Sequence, residues 1–289
     1  MSDPAPRPPA NVLRPSAGEA FAAWTALVEA NREQIERLRE SVPDEDFYQP
    51  RARQFRPGRA ESAELPLLLE QARPNEDWLD IGAGGGRFAI PLAAHVHRVI
   101  AVEPSPAMRE VLEGSAAEAG VSNIELHDLR WPDGANSVPP ADVSLAAHML
   151  YDQPDLRAFL EAMEAHTRRL CVVLIGDRAP SSTLDPIWTE LYGERARLLP
   201  ARPELLSALG AWDRAFDVRT VPLPEAEPVD EEAAMARARF LFWLQEGSER
   251  EQRAHQLIRE QFATADGQIA FPARLRSVSV ITWTPPQAT

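Results

Sequence analysis

Residues 78–93 read Trp78-Leu79-Asp80-Ile81-Gly82-Ala83-Gly84-Gly85-Gly86-Arg87-Phe88-Ala89-Ile90-Pro91-Leu92-Ala93. An apolar run ends in glycines and passes into a helical pattern. That is the βα turn at which backbone N–H groups are free to face a ligand. Glycine allows positive φ there and lets a ligand approach without a side-chain clash. The dinucleotide fingerprint G-x-G-x-x-G fails from Gly82 and Gly84, because its third position is Arg87. From Gly84 and Gly86 it survives in the looser form ending in Ala89. The spacing D-x-G-x-G-x-G over Asp80, Gly82, Gly84 and Gly86 fits without adjustment. A carboxylate at the strand end repels a pyrophosphate and suits an ammonium group. Asp80 therefore favours a ligand whose amino-acid end lies at the turn.

Outward from this turn, strands alternate with helices, the signature of parallel βαβ units. The pattern predicts strands at 78–81, 96–102, 124–126, 143–146 and 170–175, with helices near 86–94, 106–119 and 155–168. Glu103 ends the second strand, 23 residues after Asp80, near the spacing at which an acid binds ribose hydroxyls. Cys171 lies within an apolar strand and reads as a buried thiol rather than a nucleophile.

Upstream, Ser16 and Glu19 form an S-x-x-E capping box for a helix ending by Pro43. Its stripe is Phe21, Trp24, Leu27, Val28, Ile35 and Leu38. A short helix is expected at 61–72. Downstream, helices are expected from Asp185, over 230–245 and over 248–263. Strands are expected at 218–221 and in the final LRSVSVITW, where serines and valines alternate. The expected organisation is a disordered tail at 1–15, a helical cap at 16–72, and one α/β domain at 73–289 with a helical insertion at about 180–265.

Composition narrows the function. The chain has 289 residues, with 30 basic against 44 acidic side chains and a net charge of −14. All the basic residues are arginine, which excludes lysine-based Schiff-base chemistry. The negative charge counts against a nucleic-acid substrate. One cysteine leaves no internal disulfide or multi-cysteine metal site, and no metal is expected. No apolar run is long enough to cross a bilayer, and no secretory signal opens the chain. A cytoplasmic protein without a membrane partner is expected, and a homodimer is left open.

The segment from about 47 to 176 resembles the class I, Rossmann-like S-adenosylmethionine-dependent methyltransferases of the bacterial small-molecule type. LDIGAGGGRFAIPLA resembles their first motif, AVEPSPAM the second, IELHDLRWP the third and ADVSLAAHMLYDQPDLRAFL the fourth. The resemblance implies a doubly wound seven-stranded sheet, mostly parallel, with an antiparallel final strand. It implies S-adenosyl-L-methionine held by Asp80, Gly82, Ala83, Gly84, Gly86, Glu103, Pro104, Asp128, Leu129, Ala147 and His148. The stretch YQPRARQF resembles a segment that folds over the cofactor, making Tyr48 and Arg53 lid candidates. Tyr151 is a candidate neighbour of the substrate, and Asp152 is expected to cap the helix beginning near Pro154. His148 is the candidate general base for a hydroxyl acceptor; the alternative is a histidine that lines the cofactor pocket without moving a proton. The expected reaction is in-line methyl transfer to a small or medium organic acceptor. A cofactor-binding protein without catalysis and a nucleotide-dependent oxidoreductase remain as alternatives.

Overall fold

The computed structural model of the protein describes residues 14–41, 46, 48–58, 62–273 and 275–286. Among these, seven strands form one sheet: β1 (Asp77–Ile81), β2 (Arg98–Val102), β3 (Ile124–His127), β4 (Ala141–Ala147), β5 (Thr167–Gly176), β6 (Phe216–Pro222) and β7 (Ser277–Trp283). Their order is β3-β2-β1-β4-β5-β7-β6. Strands β1 to β5 pair in parallel, while β7 lies between β5 and β6 and is antiparallel to both. This is the expected Rossmann-like sheet. Strand order reverses at β1, whose neighbours are β2 on one side and β4 on the other, so a crevice opens beyond their carboxyl ends.

The central strands are mostly apolar because both faces are covered. Leu79, Ile81, Val173 and Ile175 pack toward α1 (Ala17–Leu38), α5 (Leu156–Ala165) and α7 (Arg202–Ala211). Trp78, Val99, Val143 and Val172 face α2 (Leu65–Leu69) and α3 (Ala89–Ala93). Helix α4 (Pro106–Ala119) is capped by Ser105, whose hydroxyl accepts the Met108 amide, and ends on Gly120 in the left-handed region.

The capping box of α1 is present: the Ser16 hydroxyl accepts from the Glu19 amide and the Glu19 carboxylate from the Ser16 amide. Trp24 is fully buried, and its Nε1 donates to the Gln153 carbonyl at 2.8 Å. Leu27, expected on the buried stripe, is 37% exposed, while Ala20 and Gln34 are buried instead. The tail expected over 1–15, apart from Arg14 and Pro15, and the stop at Pro43 lie outside the described residues.

The sequence reading has no helix over α7, although Pro203 and Glu204 mark its start. Helix α7 packs on both α1 and the sheet layer, so its apolar residues form no single stripe. The expected alternation of serine and valine in β7 also misleads. Ser279 is fully buried, satisfied by Arg202 at 2.9 Å and Thr220 at 2.7 Å, because strands flank β7 on both sides.

A second apolar core joins α6 (Asp185–Tyr192), α8 (Glu231–Phe242) and α9 (Glu249–Phe262) through Ile187, Trp188, Met235, Phe242 and Leu257. No helix among the described residues is long and apolar enough to cross a membrane.

Candidate active site

The glycine turn is built differently from the expectation of free amides. Gly82 and Ala83 both donate to the Val102 carbonyl, Gly84 donates to the Glu103 carboxylate at 2.8 Å, and Gly86 donates to the Ala83 carbonyl. Four of the five amides over 82–86 are thus used within the fold. A pyrophosphate would have to displace them, which weighs against the dinucleotide reading. Gly82, Gly84 and Gly86 take φ of 73°, 55° and 87°.

Gly85 serves another purpose. A Cβ there would lie 2.7 Å from the Phe55 carbonyl oxygen and 2.9 Å from a Val111 methyl. The missing side chain lets the 3-10 helix Gln49–Phe55 lie directly against the turn. Gly85→Ala is expected to push that segment away at a cost of about 1–3 kcal/mol. Trypsin cleavage at Arg53 and Arg56 should then be faster by about tenfold, in step with the opening population. An unchanged cleavage rate would show that the segment does not rest on the turn.

The acids end their strands as expected. Asp80 is 2% exposed, and its Oδ2 is buried without a hydrogen-bond partner. Burial, with the nearby Glu103 charge added, raises its pKa to about 7. Glu103 is also buried; its two oxygens accept the Gly84 and Ser105 amides, and burial raises its pKa against the opposing pull of those bonds. Each Glu103 oxygen keeps lone-pair capacity for a further donor.

Asp46, which the sequence reading does not single out, ties the start of the 49–55 segment to α4. Its carboxylate accepts from the Ser105 hydroxyl, the Ala107 amide and the Tyr48 amide. Nothing in a loop reading DEDFYQP marks one of its acids for this, since the bonds cross to α4. Tyr48, at the start of this segment, is 38% exposed overall, while burial of its phenol and the charges of Asp152 and Glu103 push that group's pKa up to about 12. Arg53 is exposed on the same segment.

Asp128 pairs with Arg109 through two bonds of 2.7 and 2.8 Å, and Arg109 also donates to the carbonyls of Glu103 and Pro104. This clamp holds the ends of β2 and β3 together. Leu129 packs against Gly134.

Ala147 closes β4, and His148 follows with φ of 57°, a region that costs a histidine backbone strain. Its amide donates to the Leu174 carbonyl. Its Nε2 lies 3.5 Å from Glu64 and its Nδ1 3.5 Å from the Tyr151 hydroxyl, and the ring stacks on Phe88. Tyr151 is buried, and its hydroxyl accepts the Gly176 amide at 2.7 Å. Glu64 is 1% exposed and pairs with Arg87 at 2.7 Å; the bonds and charges from His148 and Arg87 outweigh burial and take its pKa down to about 2. The sequence reading does not find Glu64, because its partners come from two different loops. Its other oxygen is buried and unpartnered. Asp152 does not cap α5; Asp155 does, accepting the Ala158 amide.

Asp152 instead lines a cavity of about 360 Å³. The walls come from α1, the start of α6, the 196–199 loop and the end of α8, with Trp188, Phe240 and Trp243 among them. Burial raises the Asp152 pKa. The Asp152 charge also acts on the Tyr48 phenol.

A family model described as a methyltransferase domain matches residues 51–215. With that match, the chain belongs to the S-adenosylmethionine-dependent methyltransferase family. An uncharacterized methyltransferase of Bacillus subtilis, YcgJ, is 30% identical over 168 residues, 54% of this chain and 62% of that relative. The alignment thus spans less than two thirds of that relative's length. The crystal structure of YcgJ superposes with a TM-score of 0.53 at 18% identity, covering 78% of this chain and 99% of that one. A putative methyltransferase from Bacillus halodurans gives a TM-score of 0.55 at 14% identity, covering 78% and 100%. These likenesses show the fold.

The residues present fit the family's cofactor. The buried, unpartnered Oδ2 of Asp80 matches its ammonium group, and Glu103 retains acceptor capacity for a ribose diol. No Cβ contact restricts Gly84.

Proposed function

We propose that this chain transfers the methyl group of S-adenosylmethionine to a small organic acceptor held in the cavity beside Asp152. The observation that carries this reading is the buried pair Asp80 and Glu103: two acids in one crevice, with Asp80 lacking any cationic partner of its own. Burying an unpaired carboxylate is costly unless a ligand compensates it. A ligand carrying an ammonium and a sulfonium supplies that compensation, whereas a pyrophosphate makes the charge worse.

When bound, the cofactor supplies a methyl group on positively charged sulfur, already activated for displacement. The chain then has to align the reactants and exclude water. Asp80 accepts from the ammonium, Glu103 accepts from the ribose, and the 49–55 segment anchored by Asp46 covers them. Both nitrogens of His148 face protein groups, Glu64 and Tyr151, while the Asp152 carboxylate lines the cavity. For a hydroxyl acceptor, this arrangement favours Asp152 as the group that receives the proton and leaves His148 to shape the crevice wall.

Calorimetry with S-adenosylmethionine and S-adenosylhomocysteine tests the reading. Both should bind in the micromolar range, at about 8 kcal/mol. Binding of neither, or binding of a nicotinamide cofactor in their place, would overturn it. A metabolite screen with methyl-labelled cofactor separates a working enzyme from a cofactor-binding protein without catalysis.

A further inference from the structure

The acceptor cavity has an unusual charge arrangement. Arg32 and Arg39 enter it from α1 and Arg197 from the facing 196–199 loop. No carboxylate among the described residues comes within ion-pair distance of any of the three. Arg98, by contrast, is matched by Asp77 and Glu125, Arg109 by Asp128, and Arg214 by Glu164. In a chain of net charge −14, three unpaired guanidinium groups around one cavity are notable.

The acids that face the same space are Glu36, Asp152 and Asp185. Arg32 pulls on one of them, Asp152, from beyond ion-pair distance. Partial burial of their carboxyl groups raises the pKa of both Asp152 and Asp185, Asp185 to about 6. Asp152 is the one whose charge reaches the Tyr48 phenol.

The walls are aromatic. Trp188 packs at a tilt against Tyr192 and Phe242, and its buried indole N–H has no acceptor. Phe240 and Trp243 stack on one another. Trp243 caps α8 with φ of 55°, a left-handed conformation that suits glycine and strains tryptophan. Its carbonyl accepts from the Glu40 and Ser41 amides, so the end of α1 holds it there. A large ring kept in a strained position at the cavity wall points to a contact with a ligand.

We infer that the methyl acceptor is an aromatic carboxylate, its acid group held by Arg32, Arg39 and Arg197, its ring against Trp188 and Trp243, and its nucleophile at Asp152. Guanidinium groups bind carboxylates through paired hydrogen bonds and stack on flat rings, and so serve both parts of such a molecule. A volume of about 360 Å³ is of the size that takes a small organic ligand. For a hydroxyl acceptor, the oxygen forms its bond to the methyl carbon as the carbon–sulfur bond breaks. The electron pair stays on sulfur, and the hydroxyl proton passes to Asp152. This inference rests on the methyltransferase reading for its chemistry but not for its binding claim.

The test uses three phenols of one size, 4-hydroxyphenylacetate, 4-hydroxyphenylacetamide and tyramine, titrated calorimetrically into the full chain with and without S-adenosylhomocysteine. The acid should bind at least tenfold more tightly than the amide, and tyramine most weakly. In the Arg32→Gln/Arg39→Gln double variant that preference should vanish, while affinity for S-adenosylhomocysteine stays as in the wild type. Equal or tighter binding of the amide or tyramine, binding of none of the three at millimolar concentration, or a preference that survives the double substitution would overturn the inference. The two readings fail separately. Loss of S-adenosylhomocysteine binding alone removes the cofactor assignment, and loss of the acid preference alone removes the acceptor class.

Discussion

Asp80→Asn is expected to weaken S-adenosylhomocysteine binding by about 30- to 150-fold, the roughly 2–3 kcal/mol typical of a desolvated charge pair. The same substitution should raise the melting temperature of the cofactor-free protein at pH 8. Both effects come from one atom, the buried and unpartnered Oδ2. In the folded protein Asp80 holds its proton up to about pH 7, whereas in the unfolded chain it loses it near the ordinary carboxylate value of about 4. Between those limits the native state binds the extra proton. The stability contributed by protonated Asp80 is complete below pH 4 and is lost as pH rises through 7. Asparagine keeps the shape without the charge, so its advantage grows over that window and levels off above it.

Cofactor affinity should run the opposite way in the wild type, rising as pH approaches and passes 7, because the ammonium pairs with the ionised acid. In the asparagine variant that pH dependence should flatten. Thermal melts and calorimetry from pH 5 to 8.5 read both slopes. A variant that binds S-adenosylhomocysteine normally would remove Asp80 from the site.

Trp24→Ala is expected to cost about 3–5 kcal/mol through lost burial and the cavity left behind. At about 2–4 °C per kcal/mol for a chain of this size, the melting temperature should fall by roughly 10 °C. The position matters beyond packing. The Trp24 indole donates to the Gln153 carbonyl, and Thr25 donates to the Pro154 carbonyl at 2.7 Å. Those two bonds hold the loop that carries Asp152. Trp24→Phe should recover most of the stability and leave the loop without its donor, so the two variants separate core packing from loop anchoring. A fall under 2 °C for the alanine variant would mean that α1 merely rests on the sheet.

The central strands and the turn are legible because their signal is local. The continuous apolar run at 170–175 reflects burial on both faces, and Gly82, Gly84 and Gly86 reflect three positive φ angles in one turn. The family's motifs give Asp80 and Glu103 in register. Helix α7 and the buried Ser279 are less legible, because burial there is set by neighbours far along the chain. A serine bonded to Arg202 and Thr220 looks in isolation like one that faces water.

The glycine segment by itself determined a tight βα turn with three positive φ angles, and Asp80 before it placed an acid beside that turn. Only the tertiary structure decided that its amides are already occupied, Gly84's by Glu103. It alone brought Glu64 against His148, seated the 49–55 segment on Gly85, and turned Asp152 into a cavity shared with α1 and α8. The reason is physical. Backbone conformation and strand burial follow from residues within a few positions of each other, whereas the pairing and desolvation of a polar side chain depend on which distant segments fold against it.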